Sequence, residues 1–363
     1  MRQWMAGRLG GFRDSVFEEM NALAEQYGVN LGSGTPDLET PAAVQAAAAE
    51  AVARGRNQYA PVRGEMVLRE AIADHARRFY GQEVDPASEV TVTSGVTEGI
   101  YAALFSVVEP GDEVVVFEPF YDCYVPSIRM AGGIPVPVTL HAPAFRFDPR
   151  ELRAAFSSRT KALLLNTPHN PTGTVFSRDE LTLIAELCQE FDVLAIADEV
   201  YEHIVFEPAM HVRLATLPGM GERTLTLSGA GKTLSCTGWR IGWAIGPAAL
   251  HDALARLRQF TVFSASTPLQ WGVLSAAAAE AAIRGGSSNL SSSALTTATF
   301  RISAGRLRNA RPSPAASRMG KTNTQNRWSG SRINSRILVR ISCTSGRSLI
   351  TQAAPRQRHE YVL

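Results

Sequence analysis

The sequence predicts an α/β fold built on a mostly parallel, seven-stranded sheet with helices on both faces. Three observations predict it. From about residue 88, short β-rich runs alternate with longer amphipathic ones. The run DVLAIADEV is apolar throughout, as a strand covered on both faces must be. The segments that follow the strands carry reactive and hydrogen-bonding residues, where an open sheet of this kind binds its ligand.

The elements follow in order. EVTVTSG reads as a strand and TEGIYAALFSVV as the helix after it. GDEVVVFEP is a strand, and YDCYVPSIRMAG is helix-like. IPVPVTL is a strand whose prolines suit the edge of a sheet, because proline cannot donate to a ladder. TKALLLNTP is a strand, and SRDELTLIAELCQEF is a helix with a serine at its start to cap it. DVLAIADEV, RTLTLSG and GWRIGWAIGP supply the last three strands. Ligands sit at the carboxyl ends of such strands. Ser94–Thr97, Glu118–Tyr121, Asn166–Asn170, Asp198–Tyr201 and Ser228–Lys232 therefore share one rim.

Bulk properties narrow the function classes. The chain has 363 residues, enough for a large domain with a smaller second one. Its net charge of +2 points to no polyanion partner, and nucleic acid is not expected. The four cysteines form no C-x-x-C pair, which argues against a zinc ribbon or a disulfide framework and suits a reducing cytoplasm. The first twenty residues contain no unbroken apolar stretch of the secretory kind. No run approaches the roughly 18 apolar residues that a membrane helix needs. The average charge hides a split: residues 281–363 carry +13, leaving −11 for residues 1–280.

Lys232 lies in SGAGKTLSCTGWRIGWAIGP. A phosphate-binding loop of the G-x-x-x-x-G-K-[ST] type would need glycine at position 226, which is Thr226. The dinucleotide pattern G-x-G-x-x-G fails as well, at Leu234. The lysine is better read as a chemical group. Around a flat aromatic aldehyde bearing a phosphate, the rim residues make sense together. Lys232 can form a Schiff base with the aldehyde. Asp198 can pair with a ring nitrogen, which makes the ring an electron sink. Asn170 and Tyr201 can donate to a ring oxygen, and Tyr121 can stack on the ring. Arg240 can fork onto the phosphate, and Thr97 with the helix-start amides of Gly95 and Val96 can complete the anion cup.

NTPHNPTG, ADEVYEHIVF and GKTLSCTGWRIGW, with Arg240 eight residues after Lys232, resemble the class I aminotransferases of pyridoxal-phosphate fold type I. The likeness runs from about residue 12 to about 280. EPFYDCY and NLGSGTPD are most similar to the branch holding the kynurenine, glutamine and methionine aminotransferases. The resemblance implies that Lys232 is the Schiff-base lysine and Asp198 the pyridinium partner. It implies Asn170 and Tyr201 at the ring oxygen, Tyr121 on the ring face, and Arg240 and Thr97 at the phosphate. Gly34 and Asn170 would bind the substrate. Tyr59 would reach the phosphate of the other subunit in a homodimer with shared active sites. The family commonly has a phosphate-contacting serine three residues before the lysine; here that position is Gly229 and the serine is one earlier, so Ser228 is the cofactor-binding candidate, with a backbone N–H at Gly229 as the alternative.

The plainer readings are weighed beside these. Tyr124 reads as a core aromatic and His169 as structural. Tyr59 reads equally as a packed surface aromatic. Arg240 has Asp198 or Glu199 as alternative partners. Strand alternation points Glu199 away from Asp198. No histidine shows metal-ligand spacing.

The expected division is an N-terminal arm over 1–44 contributing to an incomplete small domain, a cofactor-binding large domain over 45–285, and a Ser/Arg-rich basic tail over 286–363 in place of the family's C-terminal small domain. A reading-frame change explains that tail better than a genuine basic arm. LVRIS, with Arg340, is a weak match to the family's carboxylate-binding arginine. The expected function is a pyridoxal-phosphate aminotransferase acting on an L-amino acid and a 2-oxo acid, impaired by the tail. The alternatives are a cysteine-conjugate β-lyase or an inactive cofactor-binding remnant.

Overall fold

The computed structural model describes residues 4, 6–9, 16–28, 32, 34–36 and 38–285. The 286–363 tail and Arg340 lie outside the described residues, which all fall in one compact unit.

The expected strands are all present: β1 (Val90–Thr93), β2 (Glu113–Glu118), β3 (Ile134–Thr139), β4 (Thr160–Asn166), β5 (Leu194–Asp198), β6 (Thr224–Gly229) and β7 (Gly242–Ile245). They form one sheet in the order β1-β7-β6-β5-β4-β2-β3. Only β7 runs antiparallel to its neighbours β1 and β6. The proline-bearing β3 is an edge strand, paired with β2 alone. The helices are α1 (Val16–Tyr27), α2 (Ala42–Ala53), α3 (Met66–Tyr80), α4 (Val96–Val107), α5 (Tyr124–Met130), α6 (Pro149–Ala154), α7 (Arg178–Glu190), α8 (Ala230–Thr233), α9 (Ala248–Gln259) and α10 (Thr267–Gly285). Among the described residues, no helix is long and apolar enough to cross a membrane.

Alternation along the strands divides the core in two, because successive side chains point to opposite faces. Val115, Phe117, Leu163, Leu165, Ala195 and Ala197 pack with Leu181, Ile184 and Cys188 of α7. Val114, Val116, Leu164, Ile196 and Leu227 pack with Ile100 and Leu104 of α4, Ile128 of α5 and Leu254 of α9. A third cluster joins α3 and α10 to β1 and β7. Helix α7 shows how the sequence sets an element's start: Ser177 accepts from the Glu180 amide while Glu180 reaches back to the Ser177 amide.

The register places the site. Asn166 pairs with Asp198 across β4 and β5, so both stand at the same rim. Gly242, the first residue of β7, lies opposite Thr93 on one side and Gly229 on the other. Arg240, two residues before that strand, is thereby brought to the end of β1 and the start of α4.

Candidate active site

A cavity of about 330 Å³ opens at this rim, within the size range of small-molecule sites. Its wall includes Gly34, Gly95, Val96, Thr97, Tyr121, Asn170, Asp198, Tyr201, Lys232 and Arg240. Ser228 and Tyr59 are elsewhere. Ser228 is fully buried and its hydroxyl donates to Glu202, so Gly229 supplies the wall at that point. Tyr59 is 82% exposed and packs edge-on against Phe263, with ring centroids 5.1 Å apart.

Asp198 ends β5 on the face covered by α4 and α5. Its Oδ2 accepts from the Tyr124 phenol at 2.7 Å, and its Oδ1 accepts the Val200 amide at 3.2 Å. Burial pushes its carboxyl up to about 6, against the pull of the Tyr124 and Val200 hydrogen bonds and of Lys232. Tyr124 is thus more than the core aromatic the sequence suggests, because its oxygen is the acid's direct partner. The signal was its position three residues after Tyr121, at the start of α5. Asn166, which the sequence puts on the rim without a role, is a second supporting residue. It donates to the Asp198 carbonyl at 2.9 Å and accepts the Asn170 amide at 2.6 Å, which fixes the NTPHN turn against the end of β5.

Lys232 lies in the short helix α8. Its Nζ donates to the Gly34 carbonyl at 2.7 Å and stands 5.6 Å from the Tyr201 ring centroid. Burial lowers its amine below the ordinary range, helped by the Arg240 charge and opposed by Asp198. A depressed amine is a better nucleophile and proton carrier near neutral pH. Burial, then Asp198, raises the Tyr201 phenol, while a hydrogen bond with Asn170 lowers it. The Tyr121 phenol is raised, chiefly by burial, and bonds to Thr97.

The opposite end of the cavity is cationic. Arg240 takes a left-handed backbone conformation, φ 55°, uncommon for a side chain of its size. Its Nη1 donates to the Thr237 carbonyl at 3.2 Å, and it forms an ion pair with neither Asp198 nor Glu199. Its guanidinium lies over Gly95, where a Cβ would come within 2.5 Å of Nη2. Gly95 has φ 80° and caps α4, so its own geometry and the close approach both call for glycine. The amides at the start of α4, Thr97 and this guanidinium make a cup suited to a dianion.

Glu199 points away from the cavity, as alternation requires, and is paired with Arg213 at 3.2 Å. His169 is buried against Thr172, with its imidazole held down to about 4 by burial. His75, Glu202 and His203 bring ligand-type atoms within 4.8 Å of one another, a grouping that sequence spacing did not show.

A lysine, a buried acid and an anion cup around one rim of this sheet are the parts of a fold type I pyridoxal-phosphate enzyme, and the residues fit that group. The buried carboxyl suits a ring nitrogen, the amine an aldehyde, and the glycine-floored cup a phosphate. The family described as aminotransferase class I and II matches residues 27–298, past the point near 280 where the sequence likeness was expected to end. The chain is 47% identical over 266 residues to a probable N-succinyldiaminopimelate aminotransferase of Mycobacterium tuberculosis, covering 72% of this chain and 67% of that one. It is 43% identical over 277 residues to a kynurenine–oxoglutarate transaminase 3 of Mus musculus, covering 73% of this chain and 61% of that one. A solved structure of N-succinyldiaminopimelate aminotransferase from Mycobacterium tuberculosis superposes with a TM-score of 0.74 at 44% identity, covering 83% of this chain and 78% of that one. The chain belongs to the class I and II aminotransferases, a family of pyridoxal-phosphate-dependent transaminases.

Proposed function

We propose that this chain moves the amino group of an L-amino acid to a 2-oxo acid at the rim site, in two half-reactions. The observation that carries the reading is the meeting of Lys232, the buried Asp198 and the Arg240 cup in one cavity. Pyridoxal phosphate, when bound, supplies an aldehyde for covalent attachment and a ring that withdraws electrons from the substrate carbon.

The chain's residues do the rest. Asp198, whose charged form the Tyr124 hydroxyl favours against the effect of burial, would keep a ring nitrogen protonated. Asn170 and Tyr201 would orient the ring oxygen, and Tyr121 would cover the ring. Arg240, Thr97 and the amides of Gly95 and Val96 would hold the phosphate. Ser228 is left out of that cup, since its hydroxyl is engaged by Glu202. Lys232 would attach the cofactor and, once released, move a proton at Nζ between the substrate's α-carbon and the cofactor as general acid and base. Gly34, whose carbonyl meets that Nζ, would lie beside the substrate.

The relatives' names carry N-succinyldiaminopimelate, kynurenine and oxoglutarate. We place this chain's donor among such amino acids, with a 2-oxo acid as acceptor. Those names are of transaminases, and the β-lyase alternative draws no support from them. The chain would work as a homodimer, with the exposed Tyr59 reaching across to the partner's phosphate, and in the cytoplasm. The test is visible absorbance of the purified chain with pyridoxal phosphate beside Lys232→Ala. A band in the parent alone, bleached by an amino acid with release of its 2-oxo acid, is expected. A band that survives Lys232→Ala, or none in the parent, would overturn the proposal.

A further inference from the structure

Behind the site, on the face of the sheet away from the cavity, lies a fully buried ionic group. Arg213 bonds through Nε to Glu199 at 3.2 Å and through Nη2 to Glu202, and all three side chains are excluded from solvent. Its guanidinium stacks 3.8 Å above the Tyr80 ring of α3. Glu199 also accepts the Leu214 amide at 3.1 Å and pairs with His211 at 3.1 Å. Glu202 accepts from the Ser228 hydroxyl on its other oxygen.

The sequence interleaves this group with the site. In the turn after β5, Asp198 and Tyr201 line the cavity while Glu199 and Glu202 point to Arg213. The turn is closed by Glu202 N–H to the Glu199 carbonyl at 2.8 Å and Ile204 N–H to the Tyr201 carbonyl at 2.7 Å. Ser228 stands one residue before the cavity wall at Gly229 and four before Lys232. One guanidinium therefore connects the strand end that carries the acid and phenol to the strand end that carries the lysine.

We infer that Arg213 is a positioning residue for the reaction: through Glu199, Glu202 and Ser228 it sets the placement of Asp198, Tyr201 and Lys232 relative to one another. The inference rests on the proposed function of the rim site. A buried ion pair stabilises a fold no better than well-packed apolar side chains would, so stability alone gives it no reason to be here. What it provides is a planar fork with fixed donor directions, which holds two carboxylates in a defined geometry. Such rigid support is what a reactive constellation needs. Glu202 is already committed within the group. Both Glu202 oxygens are engaged by Arg213 and Ser228, and the His75 and His203 Nε2 atoms face each other at 2.8 Å.

The experiment is a double-mutant cycle on the full chain loaded with pyridoxal phosphate. It reads the cofactor dissociation constant and the pH midpoint of the Lys232-dependent visible band. Arg213→Lys keeps the charge but loses the fork. It is expected to weaken cofactor binding about 10-fold or more and to move the midpoint, as loss of a supporting partner does at other sites. Ser228→Ala should move both in the same direction, and the double variant should show less than the summed effects because both act through Glu202. Unchanged values in both single variants, or fully additive effects, overturn the inference; additivity is what a separate phosphate contact by Ser228 would give. If Arg213→Lys does not fold, Glu202→Gln takes its place in the cycle with the same expectations. No Lys232-dependent band in the parent chain would overturn the proposed function and this inference together, whereas a normal band with silent variants overturns this inference alone.

Discussion

The acid of the site is held at a thermodynamic disadvantage, and that can be measured. Asp198 is raised from an ordinary 3.8 to about 6, mainly by burial. The folded chain thus binds the proton more tightly than the unfolded chain does. The contribution to stability is full below the unfolded value and is lost as pH rises through the folded one, from about 4 to about 6. Two pK units correspond to roughly 3 kcal/mol. The cofactor-free Asp198→Asn variant should match the parent near pH 4 and exceed it above pH 6. Its melting temperature there should be higher by about 2–4 °C per kcal/mol, with transamination reduced at least about 100-fold. Thermal melts across pH 4–8 check this; parallel curves for the two proteins would contradict it. Tyr124→Phe removes a hydrogen bond to the charged form, worth about 1.5–3 kcal/mol, and should push the acid higher still. Its pH profile for cofactor binding should move upward. At this scale the sequence was partly legible. Reactive residue types in family-like motifs announced Lys232, Asp198, Asn170 and Arg240. The partner of a buried acid did not announce itself, because which phenol meets Asp198 depends on how α5 packs on the sheet. That the Ser228 hydroxyl meets Glu202 is hidden in the sequence for the same kind of reason. At the end of β6 a one-residue step exchanges the cavity face for the opposite face, and the hydroxyl falls on the side of Glu202.

At the scale of elements, the junction between β1 and α4 is the most constrained part of the site. Gly95 combines a positive φ with a guanidinium resting where a Cβ would be. Gly95→Ala should displace Arg240 and strain the turn at once. A dissociation constant for pyridoxal phosphate about 10 to 100 times weaker is expected, with far less effect on helix content. Cofactor titration followed by absorbance, beside circular dichroism, tests it; tight binding would mean that the phosphate cup lies elsewhere. The strands themselves were readable because each is short, apolar and followed by a turn or a capped helix. The prolines of β3 marked the edge correctly. What the linear pattern did not carry is the antiparallel sense of β7. That sense follows from the tight passage β6–α8–β7, which brings the chain back alongside β6 and leaves Gly242 between Thr93 and Gly229.

At the scale of the whole molecule, the exposed aromatics bear on the proposed dimer. Tyr59 and Phe260 are 82% and 84% exposed, and Phe263 packs against Tyr59. Such surface is costly to leave in water, and a symmetric partner would cover it on both copies at once. If Tyr59 serves the partner's phosphate, each site contains Lys232 of one chain and Tyr59 of the other. Lys232→Ala and Tyr59→Ala chains, each inactive or weak as pure samples, then complement when unfolded together and refolded. In a mixed dimer one site receives both changes and the other receives neither. With random pairing, half the dimers are mixed, so about a quarter of all sites regain the full set. Transaminase activity near a quarter of the parent value, above the mean of the two pure variants, is the expected result. If Tyr59 acted within its own chain, every site in every dimer would lack one residue, and mixing would restore nothing. The two arrangements differ in symmetry alone, so the excess over the mean of the two pure variants separates them, and that excess is largest when each variant alone is inactive.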